Sequence, residues 1–146
     1  MKPNIMFVDH SIGVLKSLRW IFMDEPCHIF LFDNPLKALN AIESKKFSVV
    51  VADQSMSEMD GLELLKKVKQ LSPDTVGMIM SIFVETGTLS NAINQGGVSR
   101  FIEKPLDINE IKQAVAIAIA RYKINVESRR ESMPIFQPHT VFAFQQ

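Results

Sequence analysis

Short apolar runs alternate along the chain with stretches in which apolar residues recur every three or four positions. The runs predict strands, because continuous apolar segments of four to eight residues are typical of strands buried in a parallel sheet. Strands alternating with helices predict a doubly wound α/β fold, a parallel five-stranded sheet with helices on both faces. The predicted strands are residues 5–8, 29–32, 47–52, 75–80 and 101–102, and the predicted helices lie near residues 12–22, 36–44, 62–68, 89–95 and 108–122.

Length and composition indicate one domain followed by a tail. The chain has 146 residues, of which 47% are hydrophobic, enough for a single core of ordinary size. Past Lys123 the sequence becomes charged and then rich in proline and phenylalanine. We therefore expect a folded domain over residues 1–124 and a tail or linker over residues 125–146.

Charge and cysteine content restrict the kinds of binding partner and the cellular location that we expect. Sixteen Lys and Arg balance sixteen Asp and Glu, so nothing favours direct nucleic-acid binding or attachment to an anionic membrane. The only cysteine, Cys27, has no partner for a disulfide, as expected in a reducing compartment. The N-terminus has no signal-peptide pattern, and the longest apolar run, residues 114–120, is too short to span a bilayer. The expected location is the cytoplasm.

Five polar residues at the ends of the first, third, fourth and fifth predicted strands are candidates for a functional site. Asp9 and His10 come after the first, Asp53 after the third, Ser81 after the fourth and Lys104 after the fifth. The carboxyl ends of parallel strands meet at one edge of the sheet, where ligands of such folds bind. Two carboxylates, a hydroxyl, an imidazole and an ammonium are suited to holding a divalent cation and a phosphoryl group together.

Three segments carry a family resemblance: IMFVDH, VVVADQSMSEMDGLELLKKV and FIEKPLDINEI. Over residues 4 to about 123 the chain resembles the receiver domain of bacterial two-component response regulators. The resemblance implies a CheY-like, flavodoxin-like (βα)5 fold and a phosphorelay signalling role rather than a metabolic enzyme. It also implies phosphoryl transfer from a histidine kinase to Asp53, with Lys104 followed by a commonly cis Pro105. Ser81 and Phe101 match the family's switch pair.

The resemblance further implies a Mg²⁺ site formed by Asp9, Asp53 and the backbone carbonyl of Ser55. The family normally has two adjacent acids after the first strand, and here His10 takes the place of the second. Magnesium prefers oxygen ligands, whereas imidazole suits zinc, copper, nickel or iron. His10 is thus a doubtful ligand, and we expect Mg²⁺ binding to be weakened or the ion to be replaced by another divalent metal.

Two interpretations of His10 remain open. It is either tolerated in a site that still accepts phosphate, or a protonated His10 supplies positive charge in place of the ion. The second interpretation makes the chain an atypical, phosphorylation-independent pseudo-receiver that serves as a protein-interaction module. A phosphatase with an aspartate nucleophile fits poorly, because Ser55 stands where such enzymes need a second carboxylate.

The last predicted helix is apolar on more than one side, which suggests that a partner covers it. Expected partners are a histidine kinase, an output domain or partner protein, and a second copy of the chain. In the family, dimers often form through the fourth helix, fifth strand and fifth helix, the surface that phosphorylation switches; a tail folded over the last helix is the alternative cover. We expect Ile111, Val115, Ala118 and Tyr122 to face inward, and Ala114, Ile117 and Ile124 to lie nearer the outer face.

Overall fold

Five parallel strands form one sheet in the order β2-β1-β3-β4-β5, as expected of a doubly wound CheY-like fold. This computed structural model describes residues 1–82, 93 and 97–132. The predicted fourth helix lies outside the described residues except for Ile93, which is helical. The strands are β1 Asn4–Val8, β2 His28–Phe32, β3 Val49–Asp53, β4 Val76–Ser81 and β5 Arg100–Glu103; the helices are α1 Ile12–Phe22, α2 Pro35–Ser44, α3 Gly61–Leu71 and the C-terminal helix Ile108–Ser132.

The register of the central strands aligns their polar ends. Val8 of β1 lies opposite Ala52 of β3, so the residues that follow, Asp9 and Asp53, are level with each other. On the other side of β3, Asp53 lies opposite Met80 of β4. The strand backbones therefore deliver two carboxylates to neighbouring positions at the carboxyl edge of the sheet.

Helices cover both faces of the sheet and divide the apolar interior into two cores. In the first core, α1 and the C-terminal helix pack on strand residues that include Phe7 and Val51. In the second core, α2 and α3 pack on the other face, against residues that include Met6 and Val50. Neighbouring residues along a strand alternate between the two cores because successive side chains point to opposite faces.

Side-chain caps fix the start of α1, α2 and α3. Ser11 caps α1 by accepting a hydrogen bond from the Val14 amide at 3.3 Å. Asn34 caps α2, and Asp60 caps α3 by accepting from the Glu63 amide at 2.8 Å. Each cap satisfies an amide that has no partner within the helix, so each helix begins directly after the loop that leaves the carboxyl edge.

The C-terminal helix continues to Ser132 instead of ending near Tyr122. Its last turns are held by Asp74 in the loop before β4: the Asn125 side-chain amide donates to the Asp74 carbonyl at 3.0 Å, and Arg129 Nε lies 2.8 Å from Asp74 Oδ1. The helix thus crosses the domain boundary placed after residue 124, a boundary that stays a prediction. In the described part of the chain, no helix is both long and apolar enough to cross a membrane.

One part of the predicted outer face of this helix is wrong. Ala114 is buried, because it lies on the same side of the helix as Ile111 and Ala118 and packs in the first core. The other two predicted positions, Ile117 and Ile124, are exposed. The inward positions are as expected: Ile111, Val115 and Ala118 are buried, and Tyr122 packs partly buried against the same core.

Candidate functional site at the strand ends

Three elements bring Asp9, Asp53 and Lys104 together. Asp9 directly follows β1, Asp53 is the last residue of β3, and Lys104 directly follows β5. The Lys104 amide donates to the Ser81 carbonyl at 2.9 Å, which extends the β4-β5 pairing into the site. The peptide bond between Lys104 and Pro105 is cis, as the resemblance implies.

The Lys104 ammonium bridges the two carboxylates. Its Nζ lies 2.6 Å from Asp9 Oδ2 and 3.1 Å from Asp53 Oδ1. Burial alone would lower the pKa of Lys104, but hydrogen bonds to both carboxylates and their charges outweigh it and raise that pKa above its ordinary value. Asp9 is fully buried and Asp53 is 4% exposed, so the cluster holds two buried negative charges against one cation.

His10 occupies the open side of this cluster. Its Nδ1 lies 3.1 Å from Asp53 Oδ2 and 3.7 Å from Asp9 Oδ1, the two oxygens that Lys104 does not contact. The imidazole side chain is 63% exposed, in contrast to the buried acids. The residue that departs from the family pattern therefore contacts the proposed acceptor directly.

The predicted switch residues lie on the adjacent strands β4 and β5. Ser81 is the last residue of β4 and is half-buried, and Phe101 on β5 packs partly buried against the second core. Ser55, whose carbonyl was a predicted metal ligand, is exposed in the loop after β3. Ile82, which follows Ser81, is exposed, so its side chain stands at the solvent side of this edge.

Two residues that sequence reasoning did not single out hold the acceptor loop. The Gln54 amide donates to the Met80 carbonyl at 2.9 Å, and its side-chain oxygen accepts from the Leu62 amide at 3.1 Å. Gly61 packs directly against the Asp53 backbone: a β-carbon there would lie 2.6 Å from the Asp53 carbonyl oxygen. A glycine at the first position of the helix after the acceptor was the available signal.

The side chains do not match the donor set that Mg²⁺ prefers. One carboxylate oxygen from Asp9, one from Asp53 and a His10 nitrogen all lie within 4.8 Å of one another, an arrangement able to hold a metal ion. Magnesium prefers near-octahedral oxygen coordination and is rarely bound through imidazole. The ion implied by the family resemblance therefore does not fit these three ligands.

Comparison with known proteins gives a consistent answer over most of the chain. The family model described as response regulator receiver domain matches residues 5–116. Sporulation initiation phosphotransferase F of Bacillus subtilis (strain 168) is 30% identical over 115 residues, which are 79% of this chain and 92% of that protein. Transcriptional regulatory protein ZraR of Klebsiella oxytoca is 30% identical over 122 residues, 84% of this chain but only 27% of ZraR.

A solved structure agrees in fold and in sequence. The beryllofluoride-activated NtrC4 receiver domain dimer superposes with a TM-score of 0.76 and 26% identity, covering 82% of this chain and 98% of that one. The chain thus spans about a quarter of the transcriptional regulator ZraR, and nearly all of the phosphotransferase and of the NtrC4 receiver domain.

Proposed function

The chain belongs to the response regulator receiver domain family of two-component signalling systems, and from this premise we propose that Asp53 accepts a phosphoryl group from a histidine kinase. The observation that carries the proposal is the position of Asp53: a nearly buried carboxylate at the carboxyl end of β3, with one oxygen 3.1 Å from the Lys104 ammonium. A relative of similar length bears the name phosphotransferase.

In the proposed reaction an Asp53 carboxylate oxygen attacks the phosphorus of a phosphohistidine. The new O–P bond forms while the P–N bond breaks, and the leaving imidazole takes up a proton. Phosphoryl transfer depends on positioning and on positive charge near the transferred oxygens, both of which the Lys104 ammonium supplies. The Ser81 hydroxyl, at the end of the adjacent strand, is the second group proposed to bind the phosphoryl oxygens.

The signalling consequence proposed is a change of partner surface. Ser81 and Phe101 lie on adjacent strands β4 and β5, with Phe101 opposite Ile79 in the register. A move of Ser81 toward the phosphoryl group would open space that the Phe101 ring can enter. The surface proposed to change is the family's surface of fourth helix, fifth strand and fifth helix, of which the structure describes β5 and the C-terminal helix.

Partners and location belong to the same proposal. We propose a histidine kinase as phosphodonor in the cytoplasm, an output domain or partner protein as receiver of the signal, and a homodimer through the switching surface. Ile117 and Ile124 are both exposed and seven residues apart, hence on one face of the C-terminal helix. Sedimentation of Ile117→Glu should show less dimer than the unchanged chain if that face forms the interface.

A test of the acceptor uses intact mass. The chain is incubated with a small phosphodonor, in separate series with Mg²⁺, Mn²⁺ and Zn²⁺, beside Asp53→Asn and a matched Asp60→Asn control. Asp60 is an exposed acid seven residues away, and asparagine caps a helix as well as aspartate does. One added phosphoryl mass that disappears only in Asp53→Asn supports the proposal, whereas no adduct with any ion in folded protein rejects it.

One contact favours a second candidate function. His10 Nδ1 lies 3.1 Å from Asp53 Oδ2, so an imidazolium would neutralise the acceptor without phosphate. In that case the chain is a phosphorylation-independent pseudo-receiver, a protein-interaction module with one fixed surface. The absence of an adduct in the mass experiment, together with partner binding that Asp53→Asn leaves unchanged, would support this candidate over the first.

A further inference from the structure

We propose that Asp9, His10 and Asp53 form a binding site for a divalent transition-metal ion of the type that accepts imidazole, such as Zn²⁺ or Co²⁺, in preference to Mg²⁺. The observation behind this proposal is the division of the four carboxylate oxygens. Lys104 contacts one oxygen of each carboxylate, Asp9 Oδ2 and Asp53 Oδ1. The other oxygen of each faces His10 Nδ1.

The spacing of these atoms suits a bound ion. Ligands about 2.1 Å from a metal lie about 3.0 Å apart at octahedral angles and about 3.4 Å apart at tetrahedral angles. His10 Nδ1 lies 3.1 Å from Asp53 Oδ2, within that range, and 3.7 Å from Asp9 Oδ1, slightly above it. The imidazole is 63% exposed and can adjust by a few tenths of an ångström, whereas the carboxylates are held by the sheet.

Charge and donor type select the class of ion. Two carboxylates and one ammonium leave one net negative charge, so a cation is favoured at the open side. An imidazole nitrogen beside two oxygens is a donor set bound well by zinc and cobalt and poorly by magnesium. Three protein ligands also leave positions for water, as in zinc sites that are not purely structural.

The Asp9 side chain is held for this role from a second direction. Its Oδ1, the oxygen that faces His10, accepts a hydrogen bond from the Ser11 amide at 2.9 Å, and the Asp9 amide donates to the Phe32 carbonyl at 3.0 Å. A ligand oriented by such hydrogen bonds binds a metal more tightly, typically by about 10- to 100-fold. The buried half of the site is therefore fixed before an ion arrives.

The experiment titrates the full chain, without an affinity tag, with Co²⁺ and follows its visible ligand-field absorption. Zn²⁺ and Mg²⁺ then compete for the bound Co²⁺. His10→Asp replaces the imidazole with the family's carboxylate, and His28→Asp makes the same change at an exposed histidine at the start of β2, the opposite edge of the sheet. His28 adjoins Cys27, so this control also detects metal bound at that pair.

The expected result is a Co²⁺ spectrum displaced by Zn²⁺ at far lower concentration than by Mg²⁺. His10→Asp should reduce the preference for Zn²⁺ over Mg²⁺ by at least about tenfold, and His28→Asp should leave it unchanged. The proposal is overturned if folded protein gives no Co²⁺ spectrum, if His10→Asp leaves the spectrum and the preference unchanged, or if His28→Asp abolishes them.

The importance of this site for signalling rests on the proposed phosphorylation of Asp53, but its occupancy does not. The titration contains no phosphodonor, so the two proposals fail separately. Metal binding in a chain that never gains a phosphoryl mass rejects the acceptor function alone. A phosphoryl adduct formed with Mg²⁺ in a chain that shows no Co²⁺ spectrum rejects the transition-metal site alone.

Discussion

Gly61→Ala tests whether the acceptor loop and α3 are packed backbone to backbone. Gly61 begins α3 and lies against the carbonyl end of β3. A methyl group there would lie 2.6 Å from the Asp53 carbonyl oxygen and 2.7 Å from Ile79 Cδ1. The isoleucine methyl can rotate away, but the carbonyl belongs to a central strand and cannot. The start of α3 or the end of β3 must therefore shift.

The size of the effect follows from two opposing contributions. Ordinary contact begins at 3.4 Å, so the Asp53 carbonyl and the new methyl must separate by about 0.8 Å. Overpacking of this kind costs about 1–3 kcal/mol, and replacing helical glycine by alanine returns about 0.5–1 kcal/mol. We expect Gly61→Ala to lower the free energy of unfolding by about 1–2 kcal/mol.

Urea unfolding followed by far-UV circular dichroism measures this change, with Gly13→Ala as the matched control. Among the described residues, a β-carbon at Gly13, in the first turn of α1, meets only Ser11 Oγ at 3.7 Å, so this variant should gain about 0.5 kcal/mol. The two glycine changes should thus shift the urea midpoint in opposite directions. Equal shifts, or a Gly61→Ala chain as stable as the unchanged one, would refute the close packing of α3 on Asp53.

Three further predictions concern single contacts. The pKa of Lys104 is raised on folding, so its contribution to the free energy of unfolding is complete below the ordinary lysine pKa of 10.5 and falls as pH rises through the higher folded value. Urea unfolding at alkaline pH should therefore show a smaller loss of stability with pH in Lys104→Met than in the unchanged chain. An equal dependence on pH in the two chains would contradict this prediction. Asp60→Ala removes the cap on the Glu63 amide and should cost about 1 kcal/mol in urea unfolding, whereas Asp60→Asn should cost little. Asp74→Ala removes the half-exposed ion pair with Arg129. Amide hydrogen exchange should therefore accelerate in the last turns of the C-terminal helix, while the free energy of unfolding falls by less than about 1 kcal/mol. Unchanged exchange there would show that the pair does not hold the helix.

The strands β1 and β3 could be predicted from the sequence because they are buried on both sides. β1 and β3 are continuous apolar runs, and each was predicted to within two residues at either end. The third strand was placed two residues early, because Phe47 is an apolar residue that packs in the second core before the β3 ladder begins. An apolar residue in the sequence indicates burial, but it does not indicate where the hydrogen bonds between strands begin.

The length of the C-terminal helix could not be predicted from the sequence, because apolar residues do not mark its last turns. Its apolar stripe ends near Tyr122, and the polar turns that follow are held by Asn125 and Arg129 against Asp74, some fifty residues earlier in the chain. A contact between residues so far apart leaves no periodic signal. The misplacement of Ala114 has a related cause, since a run of alanines and isoleucines does not indicate which side of a helix is covered.

Part of the candidate site could likewise be predicted from the sequence, and part of it could not. That Asp9, Asp53 and Lys104 meet was predictable, because parallel strands bring their carboxyl ends to one edge. That His10 replaces an acid was also visible. The direction in which the His10 ring points was not, because it depends on a side-chain rotamer and on which carboxylate oxygens Lys104 has already engaged.

Because the two cores lie on opposite faces of the sheet, substitutions in one core should affect stability independently of substitutions in the other. Leu18 on α1 and Leu64 on α3 belong to different cores, on opposite faces of the sheet. Energetic effects of residues without shared partners add, whereas those within one core depend on each other. Substitutions in one core should therefore need no compensating substitutions in the other. At the carboxyl edge of the sheet, where Asp9 and Asp53 lie, changes in either core can affect the same site.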